Sequence, residues 1–277
     1  MTHLLIFGLG YTAGRIAERL RADGWTVEAT GSAGTLDFAD EAGVRAAIGR
    51  ASHILSSVPP SGGVDSVLVR YGAALAAAPA RWSGYLSSTG VYGDTGGAWV
   101  DESMPTGAGR RQARTEADAA WQALRPDMRV FRLPGIYGPG RSALDRVAEG
   151  KAHRIDLPGQ IFSRVHVDDI VSGMIASLGG PPGVYNLSDD WPCHQNRVIE
   201  AAAELLGREP PPVQSLDDAG LSAAARAFYA ENRRVANGKA RRLLGWRPIH
   251  ADYRSGLRAC RTAVTLPGAQ PDDRPKD

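Results

Sequence analysis

The chain has 277 residues, 43% of them hydrophobic, enough to bury one large α/β core or a core with a smaller lobe. A formal net charge of +2 is too small to point to nucleic acid as a partner. Cys193 and Cys260 stand far apart and form no C-x-x-C pair, so neither a disulfide framework nor a metal site is expected. The opening residues lack a basic stretch and Gly8 interrupts their apolar run, so no signal peptide or membrane span is expected. The protein therefore reads as cytoplasmic, with a small molecule as its partner and a homodimer left open.

In chain order, Leu4 to Phe7 has the length of a buried parallel strand. Gly8, Gly10 and Ala13 follow in the spacing G-x-G-x-x-A, and Arg15 to Leu20 continue at helical spacing. Gly8 supplies the tight turn and Gly10 lets the backbone approach a pyrophosphate. Ala13 with Gly14 lets the helix pack closely on the sheet. The free N–H groups and positive dipole end of that helix face the anion, so the turn predicts a dinucleotide site.

Trp25 to Thr30 reads as the second strand, Thr35 to Phe38 as a short third, Ser52 to Val58 as a fourth and Gly84 to Ser88 as a fifth. Glu41 to Ile48 and Val64 to Ala78 read as crossover helices between them. Thr115 to Leu124 is a further helix before the strand Arg129 to Leu133. Past Gly138-Pro139-Gly140 the alternation loosens, as expected where a smaller lobe is inserted. Val165 to Asp169 then leads into a helix, Gly183 to Leu187 is one more sheet strand, and Arg197 to Leu206 is a helix. The pattern is that of an α/β doubly wound parallel sheet. The expected division is residues 1–140 with 164–188 in the cofactor domain and residues 141–163 with 189–265 in a substrate lobe. Residues 266–277, rich in proline and poor in apolar side chains, are expected to be a disordered tail.

Six phrases occur in an order that resembles the extended short-chain dehydrogenase/reductases of the NAD-dependent epimerase/dehydratase family. They are G-L-G-Y-T-A-G from Gly8, S-S-T-G-V-Y-G-D from Ser87, F-R-L-P-G-I-Y-G-P-G from Phe131, V-H-V-D-D from Val165, V-Y-N-L-S-D-D from Val184 and L-G-W-R-P from Leu244. They span roughly residues 3–262, nearly the whole chain. The resemblance implies a Rossmann domain with a small C-terminal substrate lobe, and several departures mark an atypical branch. It implies cofactor contacts at Gly8, Gly10, Tyr11, Thr12, Ala13 and Gly14 in the first turn. Further contacts are implied at Thr30, Gly31 and Ser32 after the second strand, at Asp37 and Phe38 beside the adenine, at Val58 and Pro59 beside a ribose, and at Ser87, Arg114 and Pro134.

The first departure concerns cofactor choice. NAD-using relatives carry a carboxylate at the end of the second strand, where it holds the ribose 2′-hydroxyl and repels a 2′-phosphate. That position here is Gly31, and Glu28 stands about three residues too early. The expectation is NADP, with NAD an alternative. No arginine stands in this turn, so Arg15 would have to reach across.

The second departure concerns proton transfer. The family's Tyr-x-x-x-Lys pair works with a Ser or Thr, and Ser88 matches that hydroxyl. Registering Asp118 on the family's acidic position places Arg110 where Tyr belongs and Arg114 where Lys belongs. An arginine does not cycle a proton near neutral pH. Arg110 and Arg114, four apart, either share a helix face that clamps an anion or form a solvated basic surface. Tyr92 and Tyr137 are the alternative acids, and each also reads as a turn-packing aromatic.

In the lobe, the arginine that nucleotide-sugar relatives place four residues before the histidine of His-Val-x-Asp is Phe162. Arg164, two before His166, either substitutes for it or is a structural ion-pair partner. Trp99, Trp191 and Trp246 read as core or lid packing, and His166 as packing. Two functions remain open: an NAD(P)-dependent oxidoreductase, epimerase or dehydratase on a small or sugar-like substrate, and a non-catalytic NAD(P)-binding sensor.

Overall fold

The computed structural model describes residues 2–109 and 112–261 of the chain. Twelve strands are described: β1 (His3–Phe7), β2 (Thr26–Ala29), β3 (His53–Ser56), β4 (Trp82–Ser88), β5 (Trp99–Val100), β6 (Met128–Leu133), β7 (Gly135–Tyr137), β8 (Arg154–Ile155), β9 (Arg164–His166), β10 (Gly183–Asn186), β11 (Val213–Gln214) and β12 (Arg234–Val235). The α-helices are α1 (Tyr11–Ala22), α2 (Glu41–Arg50), α3 (Ser66–Ala76), α4 (Gln112–Leu124), α5 (Ala143–Ala148), α6 (Val167–Ala176), α7 (Gln195–Leu206), α8 (Ala223–Arg226), α9 (Gly238–Leu243) and α10 (Tyr253–Arg261). Six strands form one parallel sheet in the order β10-β6-β4-β3-β1-β2. The chain moves outward from β1 to β2 and then returns to β3 on the other side of β1. The boundary between β1 and β3 is thus the switch point, where open α/β sheets bind ligands at the carboxyl ends of their strands.

The period of two along each strand divides the core. Leu4 and Ile6 of β1 join one apolar cluster with Ile16 and Leu20 of α1 and Ile170 and Met174 of α6. Leu5 and Phe7 point the other way, to Ile48 of α2, Tyr71 of α3 and Trp121 of α4. Both faces are covered, which is why these strands read as continuous apolar runs. A third cluster joins α5, α7 and α10 through Leu144, Val198, Ile199 and Leu257.

Caps set the helix starts. Asp40 accepts from Gly43 N and begins α2, while Asp65 accepts from Val67 N and Leu68 N and begins α3 at Ser66, two residues after the expected Val64. The expected strand Thr35 to Phe38 is corrected: only a lone bridge between Thr30 and Leu36 forms there. Asp37 instead accepts from Ala39 N at 2.8 Å, turning the chain toward the α2 cap before a ladder can extend. The tryptophan reading also needs correction. Trp246 is buried and donates to Ser172 Oγ at 3.0 Å, but Trp99 and Trp191 are exposed. Residues 266–277 and Arg110 lie outside the described residues.

One buried polar network crosses the sheet edge. Arg132 of β6 donates from Nη2 and Nε to the two oxygens of Asp118 on α4, at 2.8 and 3.1 Å, with the two residues 4% and 1% exposed. Ser87 Oγ donates to Asp118 at 2.5 Å, Arg132 Nη1 donates to Tyr92 OH at 3.1 Å, and Tyr92 OH donates to Asn186 Oδ1 at 2.8 Å. Removing one partner of a buried ion pair leaves the other charge uncompensated. Asp118→Ala is therefore expected to lower stability by about 3–5 kcal/mol in urea unfolding. Substitution of the exposed Trp99 by Ser should stay within about 0.5 kcal/mol in the same measurement.

Candidate active site

The turn after β1 is locked from two sides. Gly8 N donates to Thr30 Oγ1 at 3.3 Å and Leu9 N to Thr30 O at 2.9 Å, while Ser57 Oγ donates to Gly8 O at 2.5 Å. Gly8 has φ +85°, and a Cβ there would stand 2.7 Å from Val58 Cγ2. Gly10 is the N-cap of α1 with no side-chain cap bond, and a Cβ on Gly10 or Gly14 would meet nothing within 4 Å. The first-turn N–H groups of α1 thus open onto free space at the switch point, an arrangement that fits the pyrophosphate of a dinucleotide.

Gly31 has φ +112°, and its Cβ would stand 3.1 Å from Leu9 N. The backbone after β2 lies directly on the glycine turn, a conformation that strains any side chain, carboxylate-bearing ones included. Ser32 and Asp37 are exposed beside it, and Phe38 packs edge-on against Tyr71 at 5.3 Å. The charge of Arg15 acts on Tyr11, His166 and Cys260.

A cavity of ~800 Å³ lies between the carboxyl ends of β4 and β6 and the small lobe. Ser87, Ser88, Arg114, Pro134 and Tyr137 line it, whereas Tyr92 is absent from its wall. Ser88 Oγ accepts from Gly90 N at 3.1 Å, so its own proton is left to donate into the cavity. Arg114 is half-buried next to Tyr85, whose hydroxyl burial pushes up to about 12 while the guanidinium opposes that rise.

The tyrosines differ. Tyr92 is buried in the Arg132–Asn186 network, and burial raises its pKa. Tyr137 presents its ring to the cavity and edge-on to His166 at 5.1 Å, but its hydroxyl is buried without a hydrogen-bond partner and its pKa is raised by burial. A phenol so desolvated is a poor source of phenolate. Arg164 is buried, and donates to Phe162 O, Cys193 and Gln195 Oε1.

Two features were not read from the sequence. Asp189 is buried with Oδ2 unpartnered, and desolvation raises its pKa to about 7 despite the Arg164 charge. His166, Asp168 and His250 bring donor atoms within 4.8 Å of one another. His166 Nδ1 accepts from Asp168 N at 3.2 Å and its Nε2 faces Cys260 Sγ at 3.5 Å, so both ring nitrogens are engaged. Burial first, then His250, pushes its pKa down to about 4. Both features depend on segments brought together from β9, the loop after β10, α6, α10 and the loop after α9. No helix among the described residues is long and apolar enough to cross a membrane.

The six-stranded sheet, glycine turn and lobe-covered cavity define a fold of the extended short-chain dehydrogenase/reductase type, as in NAD-dependent epimerases and dehydratases. A structurally characterised conserved protein of unknown function from Silicibacter pomeroyi DSS is 41% identical, over 95% of this chain and 99% of that one, with a TM-score of 0.84. The chain belongs to one family with that protein. At 16% identity, human epimerase family protein SDR39U1, solved with NADPH, shares the fold with a TM-score of 0.76 over 95% of this chain and all of that one. A Thermotoga maritima UDP-glucose 4-epimerase, solved with UDP-glucose, does so at 16% identity and a TM-score of 0.71, over 94% and 99% of the two chains. A 3-diazoavenalumate denitrifying reductase from Streptomyces sp is 31% identical over 140 residues, 46% of this chain and 45% of that one. No family model matches the chain.

Two outcomes follow for this site. Gly10→Leu should keep the unfolding midpoint, because the position faces open space, but abolish NADPH binding in a fluorescence titration. Gly8→Ala should instead lose about 1–3 kcal/mol of stability to left-handed strain. Asp189 holds its proton in the folded state between its unfolded value of 3.8 and about 7. Its contribution to stability is present below the unfolded value and lost as pH rises through about 7. Asp189→Asn should therefore unfold at higher urea than the parent at pH 8, with the difference vanishing near pH 4.

Proposed function

We propose that this protein is an NADP-dependent reductase of a small molecule, working by hydride transfer without the tyrosine proton relay. The observation that carries the reading is that Ser88 and Arg114 share one cavity at the carboxyl edge of the sheet, across the switch point from the open glycine turn. Residues 1–140 with 164–188 form the cofactor domain in this reading, and residues 141–163 with 189–265 the substrate lobe. Gly8 to Gly14 hold the pyrophosphate, while Thr30, Gly31 and Ser32 leave room for a 2′-phosphate. Asp37 and Phe38 edge the adenine, and Val58, Pro59 and Pro134 flank the nicotinamide half with Ser87.

NADPH, when bound, supplies the hydride. Ser88 orients the acceptor by donating its hydroxyl proton to a polar atom of the substrate, and Arg114 keeps positive charge where negative charge builds up on hydride arrival. Arg110 stands where the relay tyrosine would stand in sequence, so the proton that completes the reduction comes from solvent. Tyr92, bonded into the network below, holds the floor of the site. The partial likeness to a reductase and the NADPH bound to a protein of the same fold support this reading.

Calorimetry should find NADPH binding tighter than NADH. Across a panel of carbonyl and other electrophilic substrates, Ser88→Ala should cut kcat/KM by about 10²-fold or more, the scale of a positioned proton donor. The double change Arg110→Tyr with Arg114→Lys should not raise turnover. Tight NADPH binding with no reduction of any member of the panel would favour the sensor alternative.

A further inference from the structure

The cavity is polarised. Its lobe end is aromatic and apolar, with Phe162 packed edge-on against Tyr229 at 5.5 Å and Phe228 lining the wall while 54% exposed. Arg146 of α5 lines the same end, and its charge acts on Tyr229. Its guanidinium donates to Lys151 O at 3.0 Å and pairs with no carboxylate among the described residues. Arg114 and Arg141 also line the wall without a carboxylate partner among the described residues. Several of the wall's acceptors, by contrast, are engaged by their own neighbours. Asp145 accepts from Ser142 at 2.6 Å, Glu149 pairs with Lys151 at 2.9 Å, Glu231 pairs with Arg233 at 2.8 Å, and Gln195 Oε1 accepts from Arg164 at 2.9 Å.

A sugar needs acceptors for its hydroxyls, and the wall's carboxylates are already hydrogen-bonded or ion-paired. The nucleotide-sugar enzymes that the sequence resembles place an arginine where this chain has the aromatic Phe162. The wall offers apolar rings and unneutralised guanidiniums, the complement of a flat apolar body carrying one negative charge. We infer that the lobe end of the cavity binds the carboxylate of a flat, apolar organic acid, with Arg146 as its cation and Phe162, Tyr229 and Phe228 around its body. The inference rests on the cavity being the substrate site of the proposed reductase, and assigns that site a substrate class. The acid's reactive end then points back to Ser88, and its carboxylate stays clear of the chemistry.

The test is equilibrium binding, with no turnover required. trans-Cinnamate, its methyl ester and UDP-glucose are titrated calorimetrically into the NADPH-saturated protein, and cinnamate is also titrated into the protein alone. Cinnamate should bind at least about tenfold tighter than the ester, the scale of a charge-assisted hydrogen bond. Arg146→Gln should remove that difference and Arg146→Lys restore part of it, while NADPH affinity stays unchanged. Arg146 is exposed, so the variants should fold. UDP-glucose binding tighter than cinnamate, equal binding of acid and ester, no binding of either, or no effect of Arg146→Gln would each overturn the inference. Cinnamate binding with the Arg146 dependence but no NADPH binding would sink the reductase reading and leave the subsite standing.

Discussion

The bidentate pair between Arg132 and Asp118 holds the site together. It joins β6 to α4, and Ser87, Tyr92 and Asn186 are linked to it by hydrogen bonds. Two opposite charges this deep inside would cost several kcal/mol each if left alone. They persist because the carboxylate also receives Ser87 and Gln122, and the guanidinium also reaches Tyr92. Through Asp118 the network ties α4 to β6 and, by way of Ser87, to the end of β4, which relates Arg114 to Ser88.

On the other side of the switch point the constraint is steric. Gly8, Leu9, Thr30 and Gly31 lie backbone against backbone, with Ser57 closing the turn from β3. Absence of a carboxylate after β2 is therefore tied to the close approach of Gly31 to Leu9, and the same compactness leaves Gly10 facing open space. A turn so built leaves the first-turn N–H groups of α1 open at the helix start.

The small lobe adds what the sheet lacks. Its arginines and aromatic rings reach the cavity from α5 and from the segment around Tyr229, far along the chain from Ser88. The two tyrosines weighed as acids are both engaged or shielded: Tyr92 OH donates to Asn186 in the buried network, and the Tyr137 hydroxyl is buried without a hydrogen-bond partner.

Much of the fold was legible in the sequence because it depends on local periodicity and turn chemistry. The apolar runs of β1, β3 and β6 and the G-x-G-x-x-A turn are short-range signals, and the first turn could be read from them, while Ser88 and Arg114 came from motif order alone. Thr35 to Phe38 was misread because its β-like composition gave no warning that Asp37 would turn the chain. Trp99 and Trp191 were expected to pack, but hydrophobicity alone does not say whether a ring finds a neighbour. The sequence by itself determined the doubly wound sheet, its glycine turn and the lack of a tyrosine at the family position. Only the tertiary structure decided that Tyr92 is bonded away, that Asp189 is left half-satisfied, and that Arg146 shares a wall with Tyr229. Those facts depend on contacts between residues tens of positions apart, 94 in the case of Tyr92 and Asn186, whose desolvation and pairing no local pattern encodes.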